Sequence, residues 1–184
     1  MAGANLTIDT VITGPDVLAR MDEAMGNTAD LVARVGSYLM GVTRGRFESQ
    51  SGPDGTVWQA LQPRYQRRKK RNKDRILVLS GRLHGFITYQ PDGDDAVRVG
   101  TKEKYGAIHQ FGGSIQKPAR QTTVHFGAGK AKHLFVKQKK AKRSLQVTVP
   151  AHQVNMPARP YLGVNAGDQE QIRLRVMDWL GAQP

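Results

Sequence analysis

The residues of this chain that could do chemistry are few and scattered along its 184 positions. His109 is the most tempting, standing beside Gln110 in Tyr105-Gly106-Ala107-Ile108-His109-Gln110-Phe111-Gly112-Gly113. A histidine base needs a nucleophile within hydrogen-bond reach and a group that orients the ring. No Asp, Glu, Ser or Cys is placed beside His109 to make such a pair, so it reads as a structural histidine that hydrogen-bonds a turn. His84, His125, His133 and His152 lack the HxxxH type of spacing with a nearby carboxylate, and no metal site is expected. Asp92, Asp94 and Asp95 sit around Gly93 without the EF-hand order, and read as a hairpin loop. Neither a P-loop nor a dinucleotide fingerprint occurs. With no cysteine, disulfides and thiolate ligands drop out as well. The expectation is a protein that is not an enzyme and takes no cofactor.

Charge says more. There are 28 Lys and Arg against 15 Asp and Glu, a net +13. The stretch from Lys104 to Gly167 has no acidic residue, and its bases include Lys137, Lys139 and Lys140. A second run, Arg64 to Arg75, has eight basic residues opposed only by Asp74. If that run is helical, Arg64, Arg67, Arg68, Arg71 and Arg75 form a single face. Such a face repels itself, so a partner bearing phosphate or carboxylate is expected; a solvated helix is the alternative. A nucleic-acid reader would interleave aromatic residues for stacking, and only Tyr65 and Phe135 lie within the basic segments. That weighs against a general nucleic-acid-binding protein, and leaves an acidic protein surface and the DNA backbone as the candidate partners.

These segments need a scaffold. Leu6 to Ile12 alternates as a first strand, and Thr13-Gly14-Pro15-Asp16 opens a helix with the stripe Val17, Leu18, Met21 and Met25. Thr28 starts a longer helix through Leu31, Val32, Val35, Leu39, Val42 and Phe47, with Gly36, Gly41 and Gly45 spaced for a tightly packed face. Trp58 anchors the turn cluster Ser51–Gly55. Ile76 to Leu79 is a short buried segment, followed by a short helix holding Leu83 and Phe86. Residues 86–90 and 96–101 pair as a hairpin. In the central turn Tyr105, Ile108 and Phe111 recur at spacing three, and Gly112-Gly113 stops it. Residues 122–126 and 145–149 alternate as strands, and a last helix starts near Asn165 or Asp168 with Ile172, Val176, Trp179 and Leu180 on one stripe. One core containing Trp58, Leu77, Ile108, Phe111 and Trp179 is expected. The fold class is α+β: helices packed on a small, mainly antiparallel sheet, as one domain over 1–184 with residues 114–152 inserted as a basic β-hairpin arm. The first residues lack a signal-peptide pattern, and no run approaches the roughly 20 apolar residues of a membrane helix. Assembly in a cytoplasm without membrane contact is expected.

YGAIHQFGG followed by Met156-Pro157-Ala158-Arg159-Pro160-Tyr161-Leu162-Gly163 resembles the YAxIHQFGG…PARPFLG signature of the phage virion morphogenesis family, the tail-completion and head-joining proteins of Mu-like tailed phages. Three further pieces agree in order: Arg46-Phe47-Glu48 with Pro53 to Trp58, then Ile76 to Leu83, then Val97 to Thr101. Together they span about residues 30 to 180. Gly106 replaces the usual Ala, and a long basic insertion parts the two halves of the signature. The resemblance implies a structural virion component at the head–tail junction, completing the tail as a ring of six copies. Its partners would be itself and neighbouring neck, connector or tail-tube proteins, with packaged DNA as a possible contact. Acidic protein surfaces are favoured, because a sleeve through which DNA slides gains nothing by gripping phosphates. The signature residues Trp58, Tyr105, His109, Phe111, Gly112, Gly113 and Pro160 would be structural. The interface would comprise the arginine face, Lys137, Lys139, Lys140, Arg159 and Tyr161. Arg159 has a second reading, as a helix cap or the partner of a core carboxylate. A tail terminator ring and a basic nucleic-acid-binding protein are the other functional readings.

Overall fold

The computed structural model describes residues 4–9, 28–93, 96–129 and 133–181, the first span by its backbone alone. The helix expected from Pro15 to Met25, and the end of the first strand, lie outside the described residues. The chain divides into two compact units: one holds the residues up to Gly112 with those from Pro157 on, the other Gly113–Met156.

In the first unit, β1 (Ala4–Asp9), β2 (Ile87–Asp92) and β3 (Ala96–Thr101) form an antiparallel sheet in the order β1-β3-β2. Val99 of the central strand lies opposite Leu6 on one side and Tyr89 on the other. Its burial follows the two-residue period of a pleated strand, with Val97, Val99 and Thr101 inward and Arg98 exposed. Pro91 is tolerated in β2 because β2 is an edge strand.

Helix α1 (Thr28–Ser49) buries Val32, Val35, Gly36, Leu39, Thr43, Arg46 and Phe47. These recur at three- and four-residue steps, so they form one stripe, which lies on β2 and β3. Of the three glycines read as a close-packed face, only Gly36 behaves so. A Cβ there would collide with the Tyr89 ring and come within 2.8 Å of Val97. Gly41 and Gly45 face open space, because they lie off the buried stripe.

The remaining helices are short, apart from the last: α2 (Pro63–Arg68), α3 (Arg82–Gly85), α4 (Gly106–Phe111) and α5 (Ala166–Gly181). The core gathers around Phe47, whose ring meets Trp58 edge-on at 5.5 Å and Tyr161 at 5.4 Å. Leu83, Ile87, Val99, Ile172 and Val176 close it. Trp179 is buried as expected, and Leu77 packs against the core from its edge.

Three apolar residues depart from the sequence reading. Phe111 is 72% exposed, and Leu79 and Phe86 are about half exposed. Helix α4 turns Gly106 inward rather than the Tyr105–Ile108–Phe111 line, so Ile108 is only half-buried and Phe111 ends the helix in solvent. Gly112 (φ 69°) and Gly113 (φ 139°) then lead the chain away in conformations that glycine adopts without strain.

The second unit is a ribbon. β4 (Gly113–Lys117) pairs with β7 (His152–Met156), and β5 (Arg120–Phe126) pairs with β6 (Arg143–Val149), all antiparallel. Lys117 faces His152 and Arg120 faces Val149, so the register passes unchanged across Pro118-Ala119 and Pro150-Ala151. Proline has no N–H for the ladder, and the pairing lapses there. At the far end the chain folds back: Phe126 bridges Phe135, with rings 5.4 Å apart, and Val136 N–H donates to His125 O at 2.9 Å. A 3₁₀ turn, Gln138–Lys140, follows. Gly127 is the one buried residue among those described in this unit.

Candidate assembly surfaces and the signature core

Residues 159–163 run as a strap with no strand partner among the described residues, so side chains from elsewhere satisfy its backbone groups. Gln110 does most of this. Its Oε1 accepts from Tyr161 N–H (2.9 Å) and Leu162 N–H (3.0 Å), while its Nε2 donates to Leu162 O (2.9 Å). Trp58 Nε1 donates to Pro160 O at 2.8 Å, and Arg159 N–H donates to His109 O at 2.7 Å. Arg46 reaches the other side of the strap, donating from Nη1 to Tyr161 O (2.9 Å) and Gly163 O (2.8 Å). At Gly163 (φ 152°) a Cβ would sit 2.5 Å from the Pro53 ring, so the last glycine of the strap has both a conformational and a steric reason.

Arg46 also binds Asp168 through Nη2 at 2.8 Å, with both side chains about 6% exposed. Asp168 is further held by Tyr38 Oη at 3.1 Å and by Asn165 N–H at 3.1 Å, while Asn165 Oδ1 accepts from Asp168 N–H at 2.7 Å. The last two bonds are a reciprocal cap at the start of α5. One ion pair thus ties α1, the strap and α5 together. Burial lowers the Arg46 guanidinium, and the Asp168 charge opposes that shift.

Burial also pushes the Tyr161 phenol well above its ordinary value, with Tyr105 adding to the shift. Its hydroxyl has no hydrogen-bond partner among the described residues. Burial, and then the Arg159 charge, push His109 down. The expectation that its ring hydrogen-bonds a turn does not hold at Nδ1, which is buried without a partner among the described residues; its backbone carbonyl does the bonding instead. Among the described residues no three His, Cys, Asp or Glu side chains gather as a metal site.

The basic run departs from the sequence reading. Helix α2 ends at Arg68, and Lys69 takes extended backbone (ψ 129°). The Lys69 ammonium turns inward, 5% exposed, and donates to the carbonyls of Asn72 and Arg75. That folds the segment back, with Asn72 in a left-handed conformation (φ 48°). Arg64, Arg67 and Arg68 still share one exposed helical face. Arg71 and Arg75 are exposed but lie beyond the helix, so the expected five-arginine stripe does not form. Its extension would have stacked like charges on a helix with nothing to offset them. Lys137, Lys139 and Lys140 are exposed, at or beside the 3₁₀ turn.

The family model for phage virion morphogenesis proteins matches residues 15–181. The chain belongs to the phage virion morphogenesis family. Its role is therefore in the structure or assembly of a phage particle. No curated protein and no solved structure matches the chain.

For this virion morphogenesis protein the geometry separates signature residues from surface residues. Arg159 and Tyr161, expected at an interface, are buried at 5% and 0% exposure. Arg159 donates from Nε to Gln59 O at 2.9 Å and from Nη2 to Ala60 O at 3.4 Å, so it neither caps a helix nor meets a carboxylate. Trp58, the His109 and Pro160 carbonyls, Gly112 and Gly113 hold or end elements, while Tyr105 and Phe111 are exposed at 40% and 72%. Sequence reasoning missed Gln110 and Asp168 as the polar centres of the strap, and passed over Arg46. A signal existed for two of them. Arg46 falls on the apolar stripe of α1, seven residues after Leu39, and Asn165-x-x-Asp168 has the spacing of a reciprocal cap.

Proposed function

We propose that this virion morphogenesis protein completes the tail and joins it to the head as a ring of identical subunits, six if it follows the tail's symmetry, at the head–tail junction. The observation that carries the reading is where the signature points. Its polar groups are consumed inside the first unit, which leaves α2 and the exposed apolar residues of that unit to meet other copies and neighbouring neck, connector or tail-tube proteins. Ring subunits of a particle need such division: a core that holds shape and surfaces free to bind. Exposed Phe111, Leu174 and Met177 add apolar area of the kind that contacts between copies cover.

The test combines native mass spectrometry of the pure chain with electron microscopy of particles made without it and with it. The reading expects a closed oligomer, and separate full heads and tails when the protein is missing. Intact joined particles in its absence would overturn it. Tails of uncontrolled length, instead of unjoined ones, would replace it with the terminator reading.

A further inference from the structure

The unit Gly113–Met156 holds nine of the chain's 28 Lys and Arg and none of its 15 Asp and Glu. No charge within it can be neutralised by its own residues, so its potential extends into solvent. Few of the described carboxylates elsewhere in the protein are left for a neighbouring copy's arm. Six of the nine Asp and Glu whose side chains are described there already sit in ion pairs with arginine. Among the described residues the balance favours a different anionic molecule as the partner.

Two features choose between polyanions. The first is the kind of base. Seven of the nine are lysines, compact point charges that do not grip a carboxylate with a planar fork as arginine does. Cations of either kind gain from a polyelectrolyte, whose condensed counterions are released on contact; a folded acidic protein has no such atmosphere. The second is the polar face of the ribbon. In the β5–β6 register Gln121 faces Thr148, Thr123 faces Gln146 and His125 faces Ser144. The pleat puts these six side chains on one face. Five of them are exposed and none is a carboxylate. Ser, Thr and Gln side chains supply many hydrogen bonds to phosphate and sugar oxygens, and a two-stranded ribbon fits the major groove of B-DNA.

We propose that Gly113–Met156 is a duplex-DNA-binding ribbon that reads no particular sequence. Lys137, Lys139 and Lys140 at its folded tip neutralise phosphates, and the Gln121–Thr148 face donates hydrogen bonds to the backbone. This differs from the acidic protein partner expected for the basic segments as a whole. It rests on the head–tail reading only in naming packaged DNA as the duplex met in a particle.

The experiment is fluorescence anisotropy of a labelled mixed-sequence duplex with the full chain, over a series of salt concentrations. Log affinity should fall linearly with log salt, by about 0.9 for each phosphate neutralised. Replacing Lys137, Lys139 and Lys140 together by Ala should make the slope shallower by roughly 2.7, if each lysine meets one phosphate. Gln121→Ala with Gln146→Ala should weaken binding and leave the slope alone, and a second duplex of unrelated sequence should bind equally. An unchanged strand signal in far-ultraviolet circular dichroism, compared with a chain lacking residues 114–152, shows that each variant keeps the ribbon folded. The proposal is overturned by no binding at low salt, by an unchanged slope in the triple lysine variant, or by polyglutamate displacing the duplex at equal charge. Loss of the slope in Arg64→Ala, Arg67→Ala, Arg68→Ala instead would move the site to α2 and overturn it too. Ring formation and particle joining are separate readouts, so that reading and this one can fail independently.

Discussion

Outside Gly113–Met156 the chain holds 14 Arg, five Lys and all 15 acids; inside it lie seven Lys, two Arg and no acid. The first region uses charge to build. Arg46, Arg159 and Arg44 are turned onto backbone carbonyls, and most described carboxylates meet an arginine. The second region has no core and no ion pair among its described residues, and its side chains stand in solvent. A lone two-stranded ribbon is marginally stable at best, so its sequence is free to serve a surface. The difference teaches that net charge is a poor guide to where a basic protein binds. A guanidinium is as apt to be a structural clamp as a contact.

The comparison makes graded predictions, the largest effect in the first region. Arg46→Ala leaves Asp168 buried and two strap carbonyls without donors. Loss of about 3–5 kcal/mol is expected, read as a fall in thermal midpoint; a midpoint shift no greater than for Arg64→Ala would break the contrast between clamp and surface arginines. Gly106→Ala comes next. Its Cβ would lie 2.8 Å from Tyr161 Oη and 2.7 Å from the Thr101 methyl. Overpacking of this kind costs about 1–3 kcal/mol. Adding Tyr161→Phe removes the unpartnered hydroxyl and should restore part of the loss, and a double variant as unstable as the sum of the two singles would refute the contact.

A smaller effect concerns pH. Burial holds the native His109 below its ordinary value of 6.5, so between the two values the unfolded chain binds more protons. Stability is then full above about pH 6.5 and declines as pH falls below it toward the lower native value. In urea melts at a series of pH values, His109→Gln should flatten that decline. The smallest effect is on the ribbon side: replacing residues 114–152 with a short Gly/Ser linker should leave the thermal midpoint of the remainder nearly unchanged. A cooperative loss of the whole fold would show that the ribbon belongs to the core.

Much of the fold was legible in the sequence because its signals are local. The α1 stripe, the β2–β3 hairpin, the glycine stop after α4 and the paired strands of the ribbon each follow from a period or a turn residue. The site was less legible. Arg159 and Tyr161 look like surface residues in a proline-bracketed segment, and only tertiary structure shows the strap turned inward by Gln110, Trp58 and Arg46. The arginine face failed for a similar reason. Helical spacing continues through Arg75 on paper, but Lys69 finds carbonyls to cap and ends the helix first. Phe111 misled because spacing three predicts a shared face without saying that the face looks inward.

The two prolines that interrupt the ribbon have a consequence for life before assembly. A strand pair with both outer edges open is a template on which another chain can add strands. Pro118 and Pro150 sit one on each strand, one step apart in the register, where the pairing lapses, so each strand is cut into two short runs and offers a neighbour no long continuous edge. With same-sign lysines along the ribbon repelling other copies, the break acts as a guard against fibrous self-pairing, and keeps subunits available until the surface they are meant for arrives.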